Sequence, residues 1–206
     1  MNLYKSFILP ALLDRSMGQE ALFGPRRQAL ATAAGKILEI GFGSGANLPH
    51  YPDGVVSLHV IEPDGQLAKR ALPRILASGR QVHAHPGKAE DLPFADASFD
   101  TIVSSFTLCS VSDPEQALRE VARVLRPGGR FLFLEHGLCP EPGIARWQRR
   151  LNPLQKCLGG GCHLTRDMEA LIQGAPFAAR RSRSFFLPKL PKIGAYLTLG
   201  QATARP

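Results

Sequence analysis

The 206-residue sequence predicts an α/β fold, doubly wound around a mostly parallel sheet. Three observations carry that expectation. From Lys36 onward, short apolar runs alternate with amphipathic stretches, the pattern of stacked βα units. The run Phe131-Leu132-Phe133-Leu134 is apolar without interruption, as in a strand covered on both faces. A glycine-rich loop directly follows the first apolar run.

The elements follow in order. Residues 1–35 precede the first strand and read as an N-terminal helical arm or lid, with Leu3, Tyr4, Phe7, Ile8, Leu12 and Leu13 as its apolar residues. Strands are expected at 36–40, 57–61, 81–85 and 99–104, with a helix over 65–78 that Pro73 kinks or ends. Asp113 is a good N-cap and Pro114 fits the first helical position. Ala117, Leu118, Val121, Val124 and Leu125 make one apolar stripe on that helix, and Pro127-Gly128-Gly129 stops it. A fifth strand spans 130–135. Beyond His136 the rhythm breaks: a turn at 139–143, a short helix over 146–151 ahead of Pro153, and a flexible joint at Gly159-Gly160-Gly161. A helix capped by Thr165 then runs to about Gln173, and two late strands at 180–187 and 195–203 fit an antiparallel pair.

Composition narrows the class. At roughly 150 residues per domain the chain is one domain. Apolar residues at 44% and charged residues at 20% exclude a disordered or collagenous chain. No stretch reaches the ~20 apolar residues of a membrane span, and no signal peptide is evident. The cysteines at 109, 139, 157 and 162 read as free thiols, and the cytoplasm is the default compartment. Residues 1–140 hold 14 Lys/Arg against 14 Asp/Glu; residues 141–206 hold 11 against 3, which accounts for the net charge of +8. That basic section fits either an anionic partner or a solvated surface.

The loop Gly41-Phe42-Gly43-Ser44-Gly45 is expected to open a helix, whose N-terminal amides favour an anion. Glu62 ends the second strand, 21 residues after Gly41. A carboxylate there can accept both ribose hydroxyls of an adenosine ligand. A nicotinamide dinucleotide site spaces its last glycine three after the second, to seat a pyrophosphate. Here the spacing is Gly-x-Gly-x-Gly, which leans toward S-adenosylmethionine.

The run Leu38-Glu39-Ile40-Gly41-Phe42-Gly43-Ser44-Gly45 with Glu62-Pro63-Asp64 resembles the first motifs of class I S-adenosylmethionine-dependent methyltransferases, type 11 in particular. Residues 87–94, 98–100 and 118–129 resemble the later motifs. The family's Rossmann-like sheet has seven strands, mostly parallel, with one antiparallel strand near the C-terminus. The resemblance thus implies a methyltransferase domain at 36–206, with a cofactor half at 36–136 and an acceptor side at 137–206. Gly45-Ala46-Asn47, Thr107 to Val111, Glu135-His136, Trp147-Gln148, Gly161 to Arg166 and the region of Tyr196 are similar to the microsomal thiol S-methyltransferase branch. That branch carries an N-terminal hydrophobic anchor, with no counterpart expected here, and peripheral membrane contact by the arm stays open.

By this resemblance the cofactor is S-adenosylmethionine and the product S-adenosylhomocysteine. Gly41, Gly43 and Gly45 line its methionine end, with Glu39, Phe42 and Asn47 beside them. Glu62 and Pro63 hold the ribose, Ala89 and Glu90 flank the adenine, and Ser105 and Phe106 sit by the sulfonium. Lys88 stands where many relatives place Asp, so a backbone amide from Ala89 or Glu90 serves the adenine. The acceptor implied is a small hydrophobic molecule, with a thiol favoured. A lipid, a quinone precursor or RNA is the alternative acceptor, and a non-catalytic nucleoside-binding domain is a more distant one. No RNA module is visible.

Methyl transfer needs no acid, because the sulfonium leaves as a neutral sulfide. A thiol of pKa ~8.5 is a few per cent thiolate at pH 7 and needs no obligatory base. His136, at the C-terminal edge of the sheet, is the candidate base or orienting group. Cys109 reads as a packing residue. Cys157, Cys162 and His163 are poorly spaced for zinc, and no metal is expected. Trp147, Phe185 and Phe186 are acceptor-pocket candidates for which core packing is the plainer role.

Overall fold

The computed structural model describes residues 3–205. Seven strands form one sheet: β1 (Ile37–Ile40), β2 (Ser57–Ile61), β3 (Gln81–His85), β4 (Phe99–Ser105), β5 (Leu125–His136), β6 (Phe177–Phe186) and β7 (Tyr196–Ala204). Their order is β3-β2-β1-β4-β5-β7-β6, with β7 antiparallel to both of its neighbours. The chain winds from β1 toward β3 on one side and from β4 outward on the other. The order therefore reverses between β1 and β4, and their C-terminal ends open a crevice.

Neighbouring residues on a strand feed opposite cores. Leu38, Ile102, Phe131 and Phe133 join Ala117, Leu118, Val121 and Val124 of α4 (Pro114–Val124) and Met168 and Ile172 of α6 (Met168–Gly174). Ile37, Val103 and Leu132 join Ala71 of α3 (Gly65–Ser78) and Leu30 of α2 (Phe23–Leu30) on the other face. Each fully buried Leu, Ile or Phe contributes roughly 1.5–3 kcal/mol. The cap of α4 is as expected, with Asp113 accepting the Gln116 amide.

Several boundaries differ from expectation. No α-helix follows the glycine loop; a 3-10 turn, Leu48–His50, takes its place. Pro49, Pro52 and Gly54 leave too little uninterrupted chain for a helix. The loop therefore borders the crevice as irregular backbone, with no helix N-terminus behind it. Pro73 does not end α3, and Pro153 lies inside α5 (Pro142–Leu158), which replaces the short helix expected over 146–151. Both prolines sit on exposed faces, where the carbonyl left without its partner can reach water. Asp167, not Thr165, caps α6. The triple glycine is a tight turn, with Gly161 N–H donating to the Lys156 carbonyl and Cys162 N–H to that of Gly159.

The arm is two things. A π-helical turn, Tyr4–Ile8, leads into α1 (Leu9–Met17), tied down by Tyr4 OH on the Leu158 carbonyl and by Asp14 on Arg74, both within 2.7 Å. The helix α2 belongs to the body, with Leu30 fully buried. Met1 and Asn2 lie outside the described residues.

Candidate active site

The end of β1 and the end of β2 are fastened together. The amides of Gly41 and Phe42 both donate to the Ile61 carbonyl. The Gly43 amide donates to Glu62 Oε2 at 2.7 Å, and the Asp64 amide to Glu62 Oε1 at 2.8 Å. Each carboxylate oxygen keeps a lone pair for another donor. Burial raises the Glu62 pKa, against the pull of those two amides.

The three glycines do different work. All have positive φ. A Cβ at Gly41 would lie 2.0 Å from Thr107 Oγ1, and one at Gly45 would press on Leu48 and Phe42. A Cβ at Gly43 would meet nothing closer than 4.0 Å. Gly43 alone faces open space, the arrangement that lets a ligand approach bare backbone.

Behind the loop lies a buried polar chain. Asn47 donates to Glu39 Oε1 and to Ser105 Oγ, and accepts from Arg26. Tyr51 OH donates to Glu39 Oε2. Burial pushes the Glu39 carboxyl up to about 7 and the Arg26 guanidinium down to about 10. Arg26 Nε has no partner, and its guanidinium stacks over Phe106 at 5.4 Å. Phe106 has a φ of 57°, a strained conformation for a bulky residue.

Glu135, fully buried in β5, organises the loop after β4. It accepts from Ser104 Oγ at 2.6 Å, from the Thr107 amide at 3.1 Å and from the Cys109 amide at 3.4 Å. Burial pushes its carboxyl up to about 7. Arg166 clamps the same loop by donating to the Leu108 and Val111 carbonyls. Cys162 Sγ lies 3.6 Å from Cys109 Sγ and 3.9 Å from His136 Nδ1. The Cys109 thiol and then His136 hold the Cys162 thiol below its ordinary range, while the Cys162 thiol, then burial and Glu135, push Cys109 up.

A cavity of about 580 Å³ joins these parts. Glu39, Gly41, Phe42, Gly43, Asn47, Glu62, Pro63, Ala89, Glu90, Ser105, Phe106 and His136 all border it. Gly45 does not; its work is in shaping the loop. Leu9, Leu13, Ser16 and Met17 of the arm border it too. Glu90 accepts the Ser112 amide, which draws that part of the rim together. Trp147 is half exposed on α5, and Phe185 and Phe186 pack beside Leu187 and Leu197, away from the cavity. A second hollow of about 520 Å³ between α4 and α6 contains no residue of the glycine loop.

Arg26, Tyr51, Glu135, Arg166 and Cys162 were not assigned to the site from sequence. Arg26 carries no motif, and Cys162 meets Cys109 across 53 residues. The pairing Glu135-His136 at a strand end was the one usable signal.

An α/β sheet with a glycine loop at its switch point and a carboxylate on the next strand defines a nucleoside-binding domain of the doubly wound class. Residues 38–133 match the methyltransferase domain family. The chain is 30% identical over 154 residues to a phosphatidylethanolamine N-methyltransferase of Cereibacter sphaeroides, covering 72% of this chain and 75% of that one. It belongs to the methyltransferase family. It is also 39% identical over 148 residues to the thiol S-methyltransferase TMT1B of Rattus norvegicus, covering 69% of this chain and 59% of the relative. The chain spans about six-tenths of the length of the first curated relatives it matches. The fold is shared with the crystal structure of the YcgJ protein of Bacillus subtilis, at a TM-score of 0.69 and 20% identity, over 91% of this chain and 100% of that one. Among the described residues no helix is long and apolar enough to cross a membrane.

Proposed function

We propose that the chain transfers the methyl group of S-adenosylmethionine to the sulfur of a small hydrophobic thiol. One observation carries the reading: a single cavity is bordered both by Gly43 and Glu62, from the ends of β1 and β2, and by Cys109, His136 and Cys162, from the loop after β4, the end of β5 and the turn after α5. The relatives named as thiol S-methyltransferases support the choice of acceptor.

The residues present fit the cofactor. Glu62 has lone pairs left for ribose hydroxyls, and Ala89 and Glu90 offer a rim for adenine. Glu39 and the unpartnered Arg26 Nε supply opposite charges for the two ends of an amino acid. Bound there, S-adenosylmethionine supplies an electrophilic methyl carbon on a sulfonium. The protein's task is then position: holding the nucleophile ~3–3.5 Å away and in line. Ser105 and the strained Phe106 shape that approach, and α1, through Leu9 and Leu13, acts as a lid that excludes water. The four free cysteines fit a reducing compartment such as the cytoplasm.

The test is incubation with S-adenosylmethionine and a panel of aliphatic and aryl thiols beside amines and phenols, with S-adenosylhomocysteine and the methylated product read by mass. Thiols are expected to turn over. Product from another acceptor class and none from thiols removes the thiol assignment and keeps the methyltransferase.

A further inference from the structure

Cys109, His136 and Cys162 come from three separate anchors: the loop after β4, the end of β5 and the glycine turn after α5. Among the described residues they bring one donor atom each within 4.8 Å of one another, and all three border the cavity. Zinc bonds of ~2.3 Å to sulfur and ~2.0–2.1 Å to nitrogen, at tetrahedral angles, put two sulfurs ~3.8 Å apart and a sulfur ~3.6 Å from a nitrogen. From Cys162 Sγ the observed separations are 3.6 Å to Cys109 Sγ and 3.9 Å to His136 Nδ1, and the remaining pair lies within 4.8 Å.

The histidine supplies an independent observation. His136 is 5% exposed, yet neither ring nitrogen meets an oxygen or nitrogen partner. Nδ1 faces sulfur at 3.9 Å, and Nε2 has no partner. Buried polar groups are rarely left so. A cation among the three donors would take Nδ1, whose neighbour is the Cys162 sulfur.

The frame is rigid. The Cys109 amide is held by Glu135, and its carbonyl accepts the His163 amide at 2.8 Å. The Cys162 amide closes the glycine turn. Two thiolates balance a divalent cation, so the filled site carries no net charge into the interior.

We infer that Cys109, His136 and Cys162 bind one zinc ion, and that its fourth position, open to the cavity, takes the sulfur of the acceptor thiol. The metal half stands on the geometry alone; the thiol half rests on the proposed function. Catalytic zinc sites of three protein ligands, two cysteines and a histidine among them, leave such a position open. On binding, the acceptor's S–H bond breaks and the proton goes to water, while sulfur joins zinc. A sulfur electron pair then forms the bond to the methyl carbon, and the old carbon–sulfonium pair returns to the cofactor's sulfur. The products are a methyl thioether, S-adenosylhomocysteine and one proton; zinc is neither oxidised nor reduced. Cys157, whose spacing from Cys162 is poor for zinc, is exposed and outside the cluster.

The experiment measures zinc in protein purified without chelator, alongside cobalt(II) titration of the apo form. About one metal per chain is expected, with the thiolate-to-cobalt band and tetrahedral d–d bands. Cys162→Ser and His136→Ala should lose the metal, while Cys157→Ser keeps it. Calorimetry with S-adenosylmethionine, unchanged in Cys162→Ser, shows that variant to be folded and separates metal loss from cofactor loss. Thiophenol should shift the cobalt d–d bands, and zinc removal should cut thiol methylation at pH 7 by about tenfold or more, up to the ~30-fold that full ionisation of a pKa ~8.5 thiol allows. Absence of metal from wild type, or equal metal in Cys162→Ser, overturns the site. Metal bound with no response to thiophenol overturns the thiol's place in it. Methylation of no thiol despite a metal-loaded site and bound cofactor overturns the proposed function and spares the metal.

Discussion

Glu62 Oε2 accepts the Gly43 amide at 2.7 Å, so the acid at the end of β2 shapes the loop that follows β1. The two residues proposed to meet the cofactor are thus one mechanical unit. Because Gly43 alone faces open space, Gly43→Ala should separate binding from folding. Its positive φ costs the variant roughly 1–2 kcal/mol, while the new methyl group occupies the ligand's approach. Calorimetry should show S-adenosylmethionine affinity lower by tenfold or more, by analogy with other steric blocks of a binding cradle, in a protein that still melts cooperatively. Gly41→Ala should do the reverse: with Thr107 Oγ1 2.0 Å from the new Cβ, the fold itself should be lost or badly destabilised. Equal effects on the two measurements would refute the division of labour.

Glu39 gives stability a pH dependence. Its carboxyl is raised from an ordinary 4.5 to about 7 in the folded chain, chiefly by burial. The folded state therefore binds a proton that the unfolded state releases between those values. Stability from this group is full below 4.5 and is lost as pH rises through about 7. His59 and His85 work the other way: burial lowers both, so their contribution falls as pH drops through 6.5. Thermal melts of wild type and Glu39→Gln from pH 5 to 8 should isolate the first effect, because the variant lacks the part of the slope that falls toward neutral pH. Cationic cofactor beside Glu39 should also release a proton near pH 7, read as a buffer-dependent binding enthalpy.

The sheet was legible because its signals are local. Phe131 to Leu134 had to be covered on both faces, and Asp113-Pro114 had to start a helix. The glycine loop and Glu62 were legible because strand, turn and acid recur at fixed spacing. Pro73 and Pro153 misled because a helix tolerates proline on a solvent face, which depends on tertiary placement. The cysteine cluster and the Arg26–Asn47–Glu39 chain were hidden for a related reason. Their members lie 8 to 53 residues apart with no repeat between them, and only the winding of the sheet joins them.

Arg166 should prove to be a positioning residue. It donates to the Leu108 and Val111 carbonyls and so holds the loop that carries Cys109. Arg166→Leu leaves both carbonyls without that charged donor, at a cost of about 1.5–3 kcal/mol each by the usual worth of such bonds. The glycine loop lies on other strands, so cofactor affinity should hold within a few-fold while kcat for a thiol falls by about a hundredfold, as a 1 Å misplacement can cause. Arg166→Lys should recover part of the rate. A parallel fall in cofactor affinity would show a general collapse instead.

The proposed lid depends on a surface contact. Asp14 Oδ1 meets Arg74 Nη1 at 2.7 Å, and the same Nη1 donates to the Ser44 carbonyl in the glycine loop. One guanidinium therefore joins α1, α3 and the loop. Both side chains are partly exposed, so the pair is worth only about 0.2–1 kcal/mol and weakens with salt. That is too little to unfold the chain and enough to change how often α1 opens. Asp14→Ala should leave the melting temperature within a few degrees, yet speed cofactor release several-fold in stopped-flow displacement. Raising salt should bring the wild-type rate toward that of the variant. If release is unchanged in Asp14→Ala, α1 does not gate the cavity, and the proposed lid is only a brace.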